Sequence, residues 1–234
     1  KIDIALSGCV AAVAALLLNS EALAAVGRTA GTYNVSSTGA ATYTIPIWVP
    51  PGPQGIQPNL ALTYSSQSGD GTMGPGWNLA GLQSVSRCNK TYAQDTTPAP
   101  VALVTTDGYC LNGNRLRLTG GIYGAAGSTY QTEIANFSNV TASGTAGNGP
   151  AAFIVQGKDG LTYEFGNTAD SRITPGSAVT SPYLWLLNKV RDRDGNNYVV
   201  SYGTGAAGSA GIGVPMSIAY TPASAGSTTY NYTV

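Results

Sequence analysis

The sequence contains no histidine, and charged residues make up only 9% of its 234 residues. Lys plus Arg and Asp plus Glu are balanced at 11 each, so the formal net charge is zero. Without histidine there is no Ser-His-Asp triad, no Cys-His dyad and no imidazole metal ligand. So few cations exclude a basic surface for a nucleic-acid backbone. A hydrophobic content of 43% excludes a disordered chain.

Glycine and tyrosine are abundant, with 31 Gly and 14 Tyr against 3 Phe. Short β-prone runs such as residues 60–64 alternate with turn-forming stretches, and no amphipathic helix pattern occurs after residue 24. The pattern predicts an all-β fold of hairpin-rich antiparallel sheets, sandwich-like or a partial shell. The prolines of residues 46–58 predict an extended edge or surface loop, because proline cannot donate to a central ladder.

The first 24 residues have the layout of a secretory signal peptide. Residues 10–18 are an apolar run too short to span a bilayer, and they are followed by the small-residue pattern Ala22-Leu23-Ala24. We therefore predict a signal-peptide helix in residues 1–24, cleavage after Ala24 and a β-rich domain in residues 25–234 that is truncated at its C-terminal end. Residues 6–9, Leu-Ser-Gly-Cys, match a lipobox, an alternative disfavoured because the apolar run follows Cys9.

Three Asp-Gly pairs lie between β-prone runs and predict hairpin turns. They are Asp107-Gly108, Asp159-Gly160 and Asp194-Gly195. In the last two, a tyrosine three residues after the glycine is predicted to join the returning strand. The Gly/Ala/Ser-rich residues 143–150 and 203–213 are predicted loops, and residues 183–187 are compatible with either a helix or a buried strand.

Removal of residues 1–24 leaves two cysteines, Cys88 and Cys110. In an exported protein an even number favours a disulfide, and this one would stabilise the fold by about 3 kcal/mol on the chain-entropy model. Two buried free thiols are the alternative. A catalytic cysteine is disfavoured because no histidine is present to act as its base.

The acidic residues give no strong catalytic or metal-binding pattern. Only Glu133 and Glu164 remain after residue 24, and alternation places Glu164 on the outer face of a half-buried strand. Asp192, Asp194 and Asn196 resemble alternating Ca²⁺ ligands, but Gly195 precedes the third ligand, so a solvated hairpin tip is favoured. No catalytic residue, metal site or cofactor is predicted.

The aromatic residues allow a second interpretation. Trp48, Trp77 and Trp185, together with the tyrosines, could form a platform on which a sugar stacks. Tyrosine that alternates with Thr and Ser is also typical of an ordinary half-buried sheet. This observation keeps open an adhesin-like binding module for a glycan or cell-surface protein as the alternative function.

An ordered set of motifs runs through most of the sequence and resembles one family. The set comprises residues 31–36 (GTYNVS), 39–47 (GAATYTIPI), 50–52 (PPG), 57–64 (QPNLALTY), 74–82 (GPGWNLAGL), 87–88 (RC), 109–113 (YCLNG), 130–134 (YQTEI), 164–173 (EFGNTADSRI) and 185–190 (WLLNKV). Together these segments resemble the SpvB-type N-terminal domain, which is found in the Salmonella virulence plasmid B protein, in Tc-toxin B components and in RHS-repeat proteins.

The resemblance implies a non-catalytic structural module at the front of an exported RHS- or Tc-like toxin or surface protein. The module would contribute to a β shell that encloses or presents a toxic C-terminal cargo. Its implied partners are downstream FG-GAP or RHS repeats of the same chain, other toxin-complex subunits or a host-cell surface. Neither a nucleic acid nor a membrane span of the mature chain is expected. The expected location is extracellular.

Overall fold

The structure is a computed structural model that describes residues 30–71, 73–204, 213–224 and 227–234. The predicted signal segment, the cleavage position after Ala24 and the Leu6–Cys9 motif lie outside these residues. The described chain is nearly all β, as the sequence predicts, and its strands pair antiparallel. Its described α-helix is the single turn α1 (Tyr92–Asp95), and 3-10 turns occur at Pro53–Gly55 and Ala169–Ser171.

The N-terminal part forms a four-stranded sheet with a small ribbon beside it. Its strands are β1 (Thr32–Val35), β2 (Ala41–Ile47), β3 (Leu60–Ser65), β4 (Asp70–Gly71), β5 (Gly74–Pro75) and β6 (Trp77–Ala80). The order β1-β2-β3-β6 defines the N-terminal sheet, and β4 pairs with β5. Pro46 lies in β2 beyond the end of its pairing with β1, so its missing N–H breaks no ladder bond on that side.

The remaining strands form one large sheet. They are β7 (Ser84–Cys88), β8 (Gly108–Leu111), β9 (Asn114–Gly120), β10 (Thr129–Thr132), β11 (Asn139–Ser143), β12 (Ala152–Gln156), β13 (Thr162–Phe165), β14 (Arg172–Ile173), β15 (Leu184–Arg191), β16 (Asn197–Thr204), β17 (Gly213–Pro222) and β18 (Tyr230–Thr233). Residues 183–187, which the sequence left open between helix and strand, thus lead into and form part of β15.

Eight strands of this sheet close into a cylinder. From β7 to β13 each strand pairs with the next, and β15 closes the ring because Trp185 pairs with Val85 of β7 while Tyr163 of β13 pairs with Val190. We call β7–β13 and β15 the closed sheet. Strands β16, β17 and β18 continue from the other part of β15 as an open extension.

One hydrophobic core joins the closed sheet, the extension and the N-terminal sheet. Val49, Ile56 and Leu60 from the N-terminal part are buried in the same cluster as Val200 and Ile218 of the extension. The Tyr220 hydroxyl donates a 2.9 Å hydrogen bond to the carbonyl of Pro50, which fixes the proline-rich segment against β17. Residues 46–58 are therefore a packed surface segment instead of a flexible linker.

Two of the three predicted Asp-Gly hairpins are confirmed. Asp159-Gly160 lies between β12 and β13, and Asp194-Gly195 lies between β15 and β16, with Tyr163 and Tyr198 on the returning strands. At both turns the glycine has a positive φ, 82° at Gly160 and 90° at Gly195, which an L side chain rarely adopts.

The predicted hairpin at Asp107-Gly108 is wrong. Residues 89–107 form a long loop between β7 and β8, and Asp107 ends that loop instead of turning the chain. Its carboxylate accepts hydrogen bonds from the backbone N–H groups of Ala102 and Val104, so the aspartate stabilises the loop from inside. A genuine two-residue turn lies nearby at Asn112-Gly113, with φ values of 49° and 81°, and joins β8 to β9.

Candidate functional site

The interior of the closed sheet is filled by aromatic side chains. Tyr109, Tyr130, Phe153 and Trp185 are fully buried and come from four different strands. Their rings meet edge to face, with centroids 5.0 Å apart for Phe153 and Trp185 and 5.3 Å apart for Tyr109 and Phe153. The Trp185 indole N–H donates to the carbonyl of Pro150 at 3.1 Å. This interior is a packed core, since edge-to-face rings leave little room between them.

A buried arginine lies against these rings. The Arg87 side chain is inaccessible to solvent, and its guanidinium carbon lies 5.6 Å from the Tyr109 ring centroid and 5.8 Å from that of Trp185. Its Nη1 lies 3.1 Å from Oδ2 of Asp107, which is also buried. The charge is therefore compensated by a carboxylate and by two aromatic faces.

The same guanidinium also donates to three backbone carbonyls from separate loops. Nε donates to Pro182 at 2.8 Å, Nη1 to Val104 at 2.6 Å and Nη2 to Asn148 at 2.8 Å. One side chain on β7 thus connects the loop before β8, the loop between β11 and β12 and the segment before β15. Nothing in the local sequence indicates this role, because the position of Arg87 next to Cys88 gives no sign that the arginine is buried.

The two cysteines predicted to pair lie on neighbouring strands. Cys88 is the last residue of β7, and Cys110 lies in β8, with Cα atoms 6.0 Å apart and the sulfurs joined as a disulfide. Arg115 lies beside the bridge and donates to the Asn89 carbonyl at 3.2 Å, and its Nη2 forms a 2.6 Å ion pair with Asp95 of α1. The disulfide at Cys88 and the ion pair at Asp95 therefore fix the two ends of the segment 88–95, where the 89–107 loop begins.

The carboxylates considered at the sequence level are engaged separately. Glu133 forms a 3.4 Å ion pair with Arg117, whereas Glu164 forms a 3.2 Å ion pair with Arg191 and accepts a 2.9 Å hydrogen bond from Asn167. Among the described residues, no group of three or more His, Cys, Asp or Glu side chains could hold a metal ion. The two glutamates are held by different arginines, so the described part of the chain does not bring them together as a carboxylate pair.

The Asp192–Asn196 segment is a solvated hairpin tip, as predicted. Oδ1 of Asp192 accepts hydrogen bonds from the backbone N–H groups of Asp194 and Asn196, each at 2.9 Å, and Oδ2 accepts from the Asn196 amide at 2.8 Å. Desolvation acts to raise the pKa of Asp192, but these hydrogen bonds outweigh it and lower the pKa below its usual value. Both carboxylate oxygens of Asp192, the first of the three candidate Ca²⁺ ligands, are therefore used within the turn.

Burial also shifts the acidity of the core tyrosines. Desolvation raises the pKa of Tyr109 to about 12, although the nearby Arg87 charge acts in the opposite direction. Desolvation likewise raises the pKa of Tyr198 to about 12. Both phenols are neutral at physiological pH, so they act as packing groups and not as general bases.

The three tryptophans do not form a common platform. Trp185 is fully buried, and Trp77 packs against Tyr64 with ring centroids 5.3 Å apart. Trp48, within the proline-rich segment, is 81% exposed. A sugar-stacking surface built from all three is therefore excluded.

The structure instead shows a cleft that no sequence motif indicated. It has a volume of about 390 Å³ and lies between the loop that follows β10 and the two Asp-Gly hairpin tips. The side chains of Phe137, Asn139, Gln156, Thr162 and Arg193 line it. We call it the Phe137 cleft. The sequence predicted the two hairpin tips themselves, but nothing in it indicated that they meet Phe137.

The fold and these contacts define the class of protein: a hairpin-built β module whose buried polar groups connect loops. In the parts of the chain that are described, no helix is long and apolar enough to cross a membrane. Its structural site is the Arg87–Asp107 centre inside the closed sheet.

The comparisons with known proteins agree with this class. The family described as "SpvB: Salmonella virulence plasmid 65kDa B protein" matches residues 35–95. The N-terminal domain of the effector protein SpvB from Salmonella typhimurium strain LT2 shares the fold with a TM-score of 0.60 and 20% identity, over 80% of this chain and 66% of that one. The resemblance to the SpvB-type N-terminal domain is thereby confirmed. No curated protein sequence matches the chain.

Tc toxins share the same fold. The TcdB2-TccC3 crystal structure matches with a TM-score of 0.65 and 18% identity over 82% of this chain, and the Photorhabdus luminescens Tc holotoxin pore matches with a TM-score of 0.67 and 18% identity over 86%. A further neighbour is a TcdB2-TccC3-Cdc42 structure. The chain spans about a tenth of the length of these Tc toxin chains.

Proposed function

We propose that this chain is a non-catalytic structural module at the N-terminal end of an exported RHS- or Tc-like toxin or surface protein. It contributes strands to a β shell that encloses or presents a toxic C-terminal cargo, and its partners are FG-GAP or RHS repeats of the same polypeptide or other toxin-complex subunits. The observation that carries the proposal is the fold shared with Tc toxin chains over 82–86% of this chain.

The contacts inside the closed sheet suit such a role. Arg87 connects three loops through hydrogen bonds to their backbone carbonyls. Its counter-ion Asp107 adds a hydrogen bond within the 89–107 loop, accepted from the backbone N–H of Ala102. A buried guanidinium that makes four hydrogen bonds in this way fixes the positions of the loops it contacts. Rigid loops at the ends of a closed sheet provide a defined surface for neighbouring domains.

The disulfide is consistent with export. Disulfides persist in oxidising compartments and are rare in the cytosol. A Cys88–Cys110 bridge therefore fits a chain that leaves the cytosol through a signal peptide cleaved after Ala24. These two features are independent in sequence and support the same extracellular location.

The proposal is tested on the native polypeptide. Antibodies raised against this chain are used to recover the protein from cultures of the cells that make it, and its mass and location are measured. We expect a polypeptide several times longer than 234 residues in the culture medium or at the cell surface. Limited proteolysis should leave a C-terminal fragment protected until the shell is denatured. A short cytoplasmic polypeptide, or a C-terminal part cleaved as readily as the loops, contradicts the proposal.

The signal peptide is tested separately. N-terminal sequencing of the exported protein should begin at Ala25, and Ala24→Asp should block cleavage because the processing site requires small residues. Ala30→Asp, outside the cleavage pattern, is the matched control. Intact mass that shows a diacylated Cys9 would replace this proposal with lipoprotein anchoring.

A further inference from the structure

The Phe137 cleft has an unusual aromatic side chain at its rim. Phe137 is 83% exposed, and its backbone has φ = 61°, a conformation that bulky residues rarely adopt. An exposed phenyl ring gains nothing from burial, and the left-handed backbone costs on the order of 1–3 kcal/mol. Such strain persists only where the surroundings enforce it, and it is concentrated at functional sites.

The surroundings do enforce this conformation. The Asn136 side-chain oxygen accepts hydrogen bonds from the Thr132 hydroxyl at 2.7 Å, from the Ser138 backbone N–H at 3.1 Å and from the Ser138 hydroxyl. On the other side, Asn114 makes two hydrogen bonds with the Ile134 backbone. These hydrogen bonds hold the loop backbone on both sides of Phe137, so the position from which its ring projects is defined by the fold.

The floor of the cleft is a row of polar side chains in register. Asn139 of β11 pairs with Gln156 of β12, and Gln156 pairs with Thr162 of β13, so the three side chains lie on one face of adjacent strands. Their neighbours Val140 and Val155 are buried, which places this row on the outer face. None of the three side chains makes a hydrogen bond within the described part of the chain.

The cleft also contains a cation without a counter-ion. Arg193, on the hairpin tip that follows β15, lines the cleft and forms no ion pair with any described residue. Three carboxylates lie nearby, because Arg193 also lines an adjoining cleft with Asp159, Asp192 and Asp194. Asp159 and Asp192 are used by their own turns, and Asp194 forms no ion pair with Arg193. Arg193 is thus available to a ligand, and its planar fork matches a carboxylate.

From these observations we infer that the Phe137 cleft binds an acidic saccharide, a sugar that carries a carboxylate. The Phe137 ring stacks on the apolar face of the sugar, the amides of Asn139 and Gln156 serve its hydroxyl groups as both donors and acceptors, and Arg193 holds the carboxylate. The volume of about 390 Å³ falls within the range of small-ligand sites. This inference is independent of the proposed shell function.

An extended acidic peptide fits the cleft less well. Peptides commonly bind by adding a strand to a free sheet edge, whereas β11 and β12 are paired on both sides. The groups presented here are side-chain amides and a hydroxyl, which suit the closely spaced hydroxyls of a sugar ring. A peptide ligand is therefore an outcome that the experiment distinguishes.

The test measures binding of methyl glucuronide and methyl sialoside to the full chain by saturation-transfer NMR and calorimetry. Methyl glucoside is the neutral comparison, and a glutamate-rich peptide is the peptide comparison. We expect one of the acidic sugars to bind at least about tenfold more tightly than the glucoside, since hydrogen bonds to a charged group are the stronger kind. Equal binding of acidic and neutral sugars, no sugar binding, or binding of the peptide alone overturns the inference.

Two variants locate the site and two matched variants serve as controls. Arg193→Gln should remove the preference for the acidic sugar, and Phe137→Ala should weaken binding of every sugar. Ile134→Ala removes an exposed apolar side chain from the same loop, and Arg117→Gln removes an exposed arginine outside the cleft; both should bind normally. Circular dichroism checks the fold of each variant. Sugar binding that survives both site variants refutes the assignment.

Discussion

Replacement of Arg87 by methionine should cost a large part of the stability of the fold. The change leaves Asp107 buried without its cation and leaves three loop carbonyls without their donor. Removal of one partner of a buried ion pair typically costs 3–5 kcal/mol, so we expect a loss of about 4 kcal/mol in the free energy of unfolding. A domain of this kind has roughly 5–15 kcal/mol in total, so the variant should unfold at much lower denaturant concentration.

The assay is urea unfolding followed by tryptophan fluorescence, which reports on the site because the Trp185 ring lies 5.8 Å from the guanidinium. The matched control is Arg117→Met. Arg117 also pairs with a carboxylate, but its side chain is 60% exposed, and the loss should stay below about 1 kcal/mol. The difference between the two variants isolates the effect of burial from the effect of an arginine-to-methionine change.

A double-mutant cycle tests the mechanism. Asp107→Asn leaves the Arg87 charge buried without a carboxylate and should also destabilise strongly. The loss in the free energy of unfolding for the double variant should be smaller than the sum of the two single losses by about 1–3 kcal/mol, because no unpaired charge remains. A loss below about 1 kcal/mol for Arg87→Met would refute the reasoning. Strict additivity in the cycle would refute the charge-pair explanation.

Three further predictions concern the same region. Reduction of the Cys88–Cys110 bridge should lower the free energy of unfolding by about 3 kcal/mol, measured by urea titration with and without reductant. Because the folded pKa of Tyr109 is about 12 and the unfolded value is 10.0, its contribution to stability is constant below pH 10. That contribution falls by about 1.4 kcal/mol at pH 11, which denaturant titrations at pH 9 and pH 11 would show. The buried Tyr109 hydroxyl has no hydrogen-bond partner among the described residues, so Tyr109→Phe should be neutral or stabilising. Tyr123→Phe loses bonds of 3.0 and 3.2 Å and should cost about 1 kcal/mol.

These predictions have separate controls. The double Cys88→Ser/Cys110→Ser variant must not respond to reductant, and a stability unchanged by reduction would contradict the constraint assigned to the bridge. A Tyr109→Phe variant with unchanged loss between pH 9 and pH 11 would remove Tyr109 as a cause of alkaline destabilisation. If Tyr109→Phe costs more than Tyr123→Phe, the assignment of hydrogen bonds to the two hydroxyls is wrong.

Local sequence signals predicted the hairpins that depend only on local geometry. Asp159-Gly160 and Asp194-Gly195 form turns because glycine supplies the positive φ that each turn needs. The same dipeptide failed at residues 107 and 108, because the Asp107 carboxylate binds the loop and Arg87 instead of turning the chain. Asn112-Gly113 is also a dipeptide typical of a two-residue hairpin turn, and it forms one, although it was not among the predicted turns.

The parts that the sequence did not predict depend on contacts between distant residues. Closure of the ring requires Trp185 to pair with Val85, and no periodicity in either strand specifies that partner. Burial of Arg87 follows from this closure, and so does the fully buried position of Trp185. The Phe137 cleft arises from register among three strands and a neighbouring hairpin, which local patterns cannot encode.

Closure by β15 has a consequence for the order in which the chain folds. Strands β8 to β13 can each pair with a neighbour as they are synthesised, but the free edges of β7 and β13 must wait for the last strand of the ring. Until then the intermediate is a curled sheet with two edges open to intermolecular pairing. The Cys88–Cys110 bridge joins the neighbouring strands β7 and β8, so once formed it holds β7, the strand with which β15 pairs, in register. The disulfide therefore constrains one of the two edges between which β15 must pair.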